Sequence, residues 1–105
     1  RYQLPLMVTE NGMATIGDNP RNDGWTREAF IVNHLGQLQK AIAEGIPVLG
    51  YMHWSLIDNY EWAEGYRMRF GIVHVDFTTQ RRTLKSSARW YSNLIRAHHK
   101  AKGST

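Results

Sequence analysis

Leu4-Pro5-Leu6-Met7-Val8-Thr9-Glu10-Asn11-Gly12 begins as an almost unbroken apolar run and ends in an acid and a turn. Leu4 to Thr9 reads as a short strand buried on both faces, the pattern of parallel sheets. Asn11-Gly12 supplies turn chemistry. A carboxylate has no packing role at the end of such a strand, and burying one is costly unless it is paired or functional. By position alone Glu10 is either a working carboxylate or an exposed turn acid.

Reading outward, residues 15–24 contain Gly17, Asp18, Asn19, Pro20, Asn22, Asp23 and Gly24, a loop by composition. A helix follows from about Trp25 to Glu44. Ile31, Leu35, Leu38 and Ile42 recur at steps of four, three and four and share one face. Asp23 or Thr26 can cap its start, and Gly45 followed by Pro47 ends it. Val48 to Leu56 is a second apolar segment. Strand, helix, strand is a βαβ unit. Ile57 to Phe70 reads as a long aromatic loop and Ile72 to Phe77 as a short strand, with a turn at 78–80. A last helix is capped by Ser86 or Ser87 and turns Trp90, Tyr91, Leu94 and Ile95 to one side, and the tail after Ala97 is expected to fray. Two parallel strands do not make a stable sheet without neighbours and a second layer. The expectation is therefore α/β, with βαβα cut from a larger domain. No internal boundary is seen, and the absence of an initiator Met suggests that sequence precedes Arg1.

Composition narrows the classes. The 105 residues suit at most one domain. No cysteine is present, so disulfides and thiolate metal sites are excluded. That fits a reducing compartment, and a cytoplasmic location is the expectation. No apolar run reaches the roughly 18 residues that span a bilayer, so no membrane partner is expected. The net charge is +4, with Arg81, Arg82, Lys85, His98, His99, Lys100 and Lys102 clustered late. These follow no nucleic-acid motif and read as a solvated surface, so no nucleic-acid partner is expected. His98 and His99 are adjacent, not at metal-ligand spacing on one helix face, and no metal or cofactor is expected.

Tyr51-Met52-His53-Trp54-Ser55-Leu56-Ile57-Asp58-Asn59-Tyr60-Glu61-Trp62 also runs off the end of a strand. It places Trp54, Glu61 and Trp62 near the same rim as Glu10. Indole faces beside a carboxylate suit a sugar, whose C–H face stacks and whose hydroxyls donate. Trp90, Trp25 and His53 read instead as packing residues.

Pro5 to Gly12 resembles the nucleophile motif of glycoside hydrolase family 1, the β-glucosidase family. His53-Trp54-Ser55-Leu56 with Asp58 to Trp62 is similar to that family's sugar-binding block. Arg69-Phe70-Gly71-Ile72 with Val75-Asp76, then Arg27, His34 and Leu35, and Ser87 to Tyr91 match further blocks in order. The resemblance covers about Pro5 to Ile95. It implies a TIM (β/α)₈ barrel, of which this chain is the C-terminal quarter: strands 7 and 8 with their helices. It implies Glu10 as nucleophile, Glu61 and Trp62 on glycon hydroxyls, Trp54 as the stacking floor, Phe70 lining the subsite, and a cis peptide between Trp54 and Ser55.

A retaining glycosidase needs two carboxyl groups roughly 5–5.5 Å apart. The family's acid/base sits in an Asn-Glu-Pro block, and none occurs here. The chain is thus expected to hydrolyse β-glycosides only together with the N-terminal remainder of the barrel, in the same parent chain or a companion chain. Glu61 would repel a phosphorylated sugar, which favours a neutral glycon such as glucose, galactose or fucose. The alternatives are a non-catalytic carbohydrate-binding piece, which would not need Glu10, and a purely structural part of a split barrel.

Overall fold

The computed structural model describes residues 3–102. The expected unit is there. β1 (Leu6–Asn11) and β3 (Val48–His53) pair in parallel, and α1 (Arg27–Ala43) joins them. Leu6 lies opposite Val48, and Asn11 lies opposite His53. Thr26, not Asp23, caps α1: its hydroxyl accepts from the Ala29 N–H at 3.1 Å. The helix closes in a Schellman turn, with Gly45 N–H donating to Ile42 O and Ile46 N–H to Ala41 O. Of the predicted apolar face, Ile31 is fully buried, Leu35 and Leu38 are half-buried, and Ile42 stays exposed.

Several expectations are corrected. Residues 15–24 are not all loop, because β2 (Thr15–Ile16) pairs antiparallel with β4 (Met68–Arg69). That pairing also breaks the predicted aromatic loop. Two-residue strands carry no period of their own, so only the meeting of the two segments creates them. β5 (Val73–Val75) forms a hairpin with β6 (Arg82–Leu84), whose turn the Asp76 carboxylate organises by accepting from Thr78 and Thr79 N–H. α2 (Ser86–Lys102) begins at Ser86 itself. Neither serine takes the cap role: the Ser86 hydroxyl reaches Glu28 at 3.4 Å, and the buried Ser87 hydroxyl has no partner. The helix also runs on past Ala97 to Lys102. Trp25 is 44% exposed in this chain.

The interior is displaced from the sheet. Met13, Ile31, Val75 and Ala88 are the buried apolar residues, whereas Leu6, Met7, Leu49 and Met52 on the paired strands are exposed. The radius of gyration is 15.8 Å, against about 13 Å for a self-contained domain of this length. The sheet therefore offers both its edges and much of its apolar surface for covering.

What the chain does bury is charge. Asp58, 2% exposed, accepts four hydrogen bonds. Arg69 Nη1 donates at 2.7 Å and Lys85 Nζ at 3.1 Å, and the Gly71 and Val75 N–H groups donate at 3.0 and 3.4 Å. Burial alone would raise the Asp58 carboxyl, but the Arg69 and Lys85 hydrogen bonds outweigh it and hold the group below the ordinary carboxylate range. Burial and neighbouring Arg27 push the Lys85 ammonium below its usual range although Asp58 favours its charge. Gly71 is required by close approach: a Cβ there would lie 2.3 Å from the Asp58 nitrogen. Arg27 extends the network, donating through Nη2 to Met13 O at 3.0 Å and to Arg69 O at 2.9 Å. The segments following β1 and β3 are thus tied together.

Asp58→Ala in the completed barrel leaves two shielded cations without their carboxylate. The expected loss is about 3–5 kcal/mol of stability, read as a lowered denaturation midpoint. An unchanged midpoint would show that the carboxylate is not what holds these segments.

Candidate functional site

The ends of β1 and β3 lie side by side because their register is parallel. Glu10 is the fifth residue of β1 and is exposed. It makes no side-chain hydrogen bond to another described residue. Its neighbour Asn11 is held firmly. Asn11 Oδ1 accepts from the Tyr51 hydroxyl at 2.7 Å, and Asn11 O accepts from the Trp54 N–H at 2.9 Å. Burial, with a smaller contribution from Tyr91, pushes the Tyr51 phenol up to about 12, so it remains a donor. Gly12 then packs on the Trp54 main chain, where a Cβ would fall 1.9 Å from the Trp54 oxygen. Only glycine permits this approach.

From there the second segment builds outward. The Trp54–Ser55 peptide is cis, as the resemblance implies. Ser55 N–H donates to Phe70 O at 3.1 Å, and Ile72 N–H donates to Ser55 O at 3.0 Å. These bonds lay the half-buried Phe70 alongside the start of the loop. Trp54 Nε1 approaches Glu61 Oε1 at 3.4 Å. Glu61 is half-buried, and its N–H donates to Gly65 O at 2.7 Å. Trp62 opens a short 3₁₀ turn, Trp62–Glu64, and is 81% exposed. Its ring meets Tyr60 edge-on at 6.4 Å, and Tyr60 in turn meets Tyr66.

Of the five site residues expected from sequence, the structure joins Trp54 and Glu61 by side-chain contact and places Phe70 against the same loop through its backbone. Glu10 stands at the neighbouring strand end, and Trp62 projects outward. Hollows of about 550, 520 and 470 Å³ in the chain are lined by other residues. Gly12, Tyr51 and Asp58, which hold the site's frame, were not assigned roles from sequence. Gly12 reads as a turn residue until its contacts are seen. Among the described residues no group of three or more His, Cys, Asp or Glu is arranged to hold a metal ion.

His53, beside Asn11 in register, is half-buried, and both its ring nitrogens are shielded without a partner. Its ring lies 6.0 Å from Tyr91. Burial first, and then the Arg27 guanidinium, lower its pKa to about 4.

Comparison with solved structures gives the class. The chain superposes on a family 1 β-glucosidase from Thermotoga maritima in complex with isofagomine lactam with a TM-score of 0.77 and 49% identity, over 88% of this chain and 22% of that one. A β-glucosidase from Thermotoga maritima in complex with castanospermine gives 0.79 at 49% identity, over 88% and 22%. These are TIM-barrel enzymes, and the chain is part of a barrel fold. It belongs to glycosyl hydrolase family 1, whose model matches residues 1–100. Among curated relatives it is 49% identical to β-glucosidase A of Thermotoga maritima, covering 90% of this chain and 22% of the relative. It is 48% identical to a β-glucosidase of Agrobacterium sp., covering 90% and 21%, and 44% identical to a β-galactosidase of Sulfolobus acidocaldarius, covering 93% and 19%. The chain spans about a fifth of the length of these relatives.

His53 makes the stability of the completed barrel sensitive to acid. Its folded-state pKa of about 4 lies below the ordinary 6.5, so the unfolded chain binds the extra proton between those values. The stabilisation is complete above pH 6.5 and is lost as pH falls towards 4, by at most about 3 kcal/mol. Denaturation midpoints across this range should fall in the native protein and fall less in His53→Val. Equal slopes in the two proteins would exclude the histidine as their source.

Proposed function

We propose that this chain is the C-terminal quarter of a retaining β-glycosidase barrel, residues 1–105 without internal boundary, supplying strands 7 and 8 and their helices. Glu10 is the nucleophile, and Trp54, Glu61, Trp62 and Phe70 form part of the glycon subsite. One observation supports this reading: β1 and β3 pair in parallel with Asn11 opposite His53, and Gly12 is seated on the Trp54 main chain, so the strand that carries Glu10 ends next to the strand that leads to Trp54. In parallel α/β barrels the C-terminal strand ends carry the chemistry.

The mechanism follows from the groups in hand. The Glu10 carboxylate attacks the anomeric carbon as the bond to the leaving oxygen breaks, giving a covalent glycosyl-enzyme. A second carboxylic acid protonates that oxygen and later deprotonates the water that releases the sugar. No residue of this chain takes the second role, so the acid/base comes from the N-terminal remainder of the barrel. Trp54 offers its indole face to the ring. Glu61 accepts from sugar hydroxyls, and its charge disfavours a phosphorylated glycon. The substrate class is accordingly a β-linked neutral sugar such as glucose.

Two measurements on the completed barrel test this. A 2-deoxy-2-fluoro-β-glucoside should leave one covalent sugar on Glu10, located by peptide mass. Glu10→Gln should lower kcat/KM for an activated aryl β-glucoside by at least roughly 10³-fold. An adduct on a different carboxylate, or a variant of near-native activity, would overturn the assignment. The chain without its N-terminal complement should show no hydrolysis.

A further inference from the structure

Trp62 stands in a backbone conformation that tryptophan rarely adopts. Its φ is 51°, in the left-handed region where a side chain crowds its own main chain. The loop closes on itself to keep it there. Glu61 N–H donates to Gly65 O at 2.7 Å, and Gly65 N–H donates back to Trp62 O at 2.9 Å. These bonds hold the main chain of Trp62 but leave its indole to turn about its own side-chain bonds. Among the described residues the ring that meets this indole is Tyr60.

Tyr60 is itself held, through a line of rings that ends on a buried charge. The Arg69 guanidinium donates to Asp58 at 2.7 Å and to Val75 O at 2.9 Å, and it lies 4.7 Å over the Phe77 ring. Phe77 meets Tyr66 with ring centres 4.4 Å apart. Tyr66 meets Tyr60 edge-on at 5.4 Å and 67°, and Tyr60 meets Trp62 edge-on at 6.4 Å and 63°. Each ring is thus seated on the one behind it, back to the fully buried Asp58. Neither the Tyr60 nor the Tyr66 hydroxyl makes a hydrogen bond to another described residue, so the ring faces and edges are the working parts.

This geometry has a directional consequence. Edge-to-face pairs favour particular ring angles, which aliphatic packing of the same bulk does not. The Tyr60 edge therefore selects among the orientations open to the Trp62 indole. The Trp62 indole N–H makes no hydrogen bond to another described residue, and it is a donor that a sugar oxygen can use. We propose that Tyr60, backed by Tyr66 and Phe77, is a positioning residue of the glycon subsite: its ring edge sets the direction in which Trp62 presents its N–H. Tyr60 touches no reacting atom. The proposal rests on the placing of Trp62 in that subsite.

A double-mutant cycle in the completed barrel separates positioning from plain packing. Tyr60→Leu should lower kcat/KM for 4-nitrophenyl β-glucoside roughly three- to tenfold, with KM carrying most of the change. Tyr60→Phe keeps the ring and should restore near-native constants. Trp62→Ala should lower kcat/KM by itself, and adding Tyr60→Leu to it should cost less than about twofold more. Equal losses from Tyr60→Leu in both backgrounds, or no loss in either, overturn the proposal. A crystal structure of the sugar-free Tyr60→Leu barrel reads the indole directly. Trp62 should leave its native rotamer or spread over several, and a single unchanged rotamer also overturns the proposal. If Trp62→Ala hydrolyses the glucoside at the native rate, the place of Trp62 in the glycon subsite falls, and the positioning role of Tyr60 falls with it. The assignment of Glu10 then still stands or falls on its own covalent adduct.

Discussion

Everything this chain positions depends on one buried carboxylate. Asp58 accepts from Arg69, Lys85 and the Gly71 and Val75 N–H groups, so it ties its own loop to residues 69–75 and to the end of the hairpin. Arg69 then gives its carbonyl to Arg27, which also holds Met13 just beyond β1. Hydrophobic burial does little of this work, since the sheet faces are largely open. Hydrogen-bonded charge in a shielded place has directional demands that apolar packing lacks. It therefore fixes where the loops after the two strands go, and the loop after β3 carries the Trp54–Glu61 pair.

The division of labour is physical. The β1–β3 pairing brings two strand ends together, and the Asp58 network keeps the following segments from swinging away. Arg69 has a second anchor, with its guanidinium 4.7 Å over the Phe77 ring. Phe77 in turn touches Tyr66, linking the hairpin to the aromatic group around Trp62. The proposed glycon residues are thus held from behind by polar bonds and from the side by rings. Their open face is left for the rest of the barrel and the sugar.

The strand–helix–strand unit was legible because its signals are local: an apolar run, steps of four, three and four, then Gly45 and Pro47. β2 and β4 were not, because Thr15-Ile16 and Met68-Arg69 become strands only by meeting. Ser86 and Ser87 look like caps in sequence, yet the helix starts on Ser86 and takes it inside. Trp25 reads as a packing residue, and in this chain it is partly covered, at 44% exposure. At the site, Glu10 was visible as an acid with no packing role, and the roles of Glu61 and Trp54 came from resemblance. Asp58 lay in plain view within the quoted block. Its importance was hidden because its partners lie 11 and 27 residues further along, a separation that no local pattern reports.

The seat of Gly12 on the Trp54 carbonyl acts as a gauge made of main chain. Side chains differ from one relative to the next, but two backbones in van der Waals contact keep the same spacing whatever their neighbours become. The side chains of Thr9, Met52 and His53 take no part in this contact, so the distance between the two strand ends does not depend on them. Position 12 is denied that freedom. A site measured in this way can be retuned without being rebuilt.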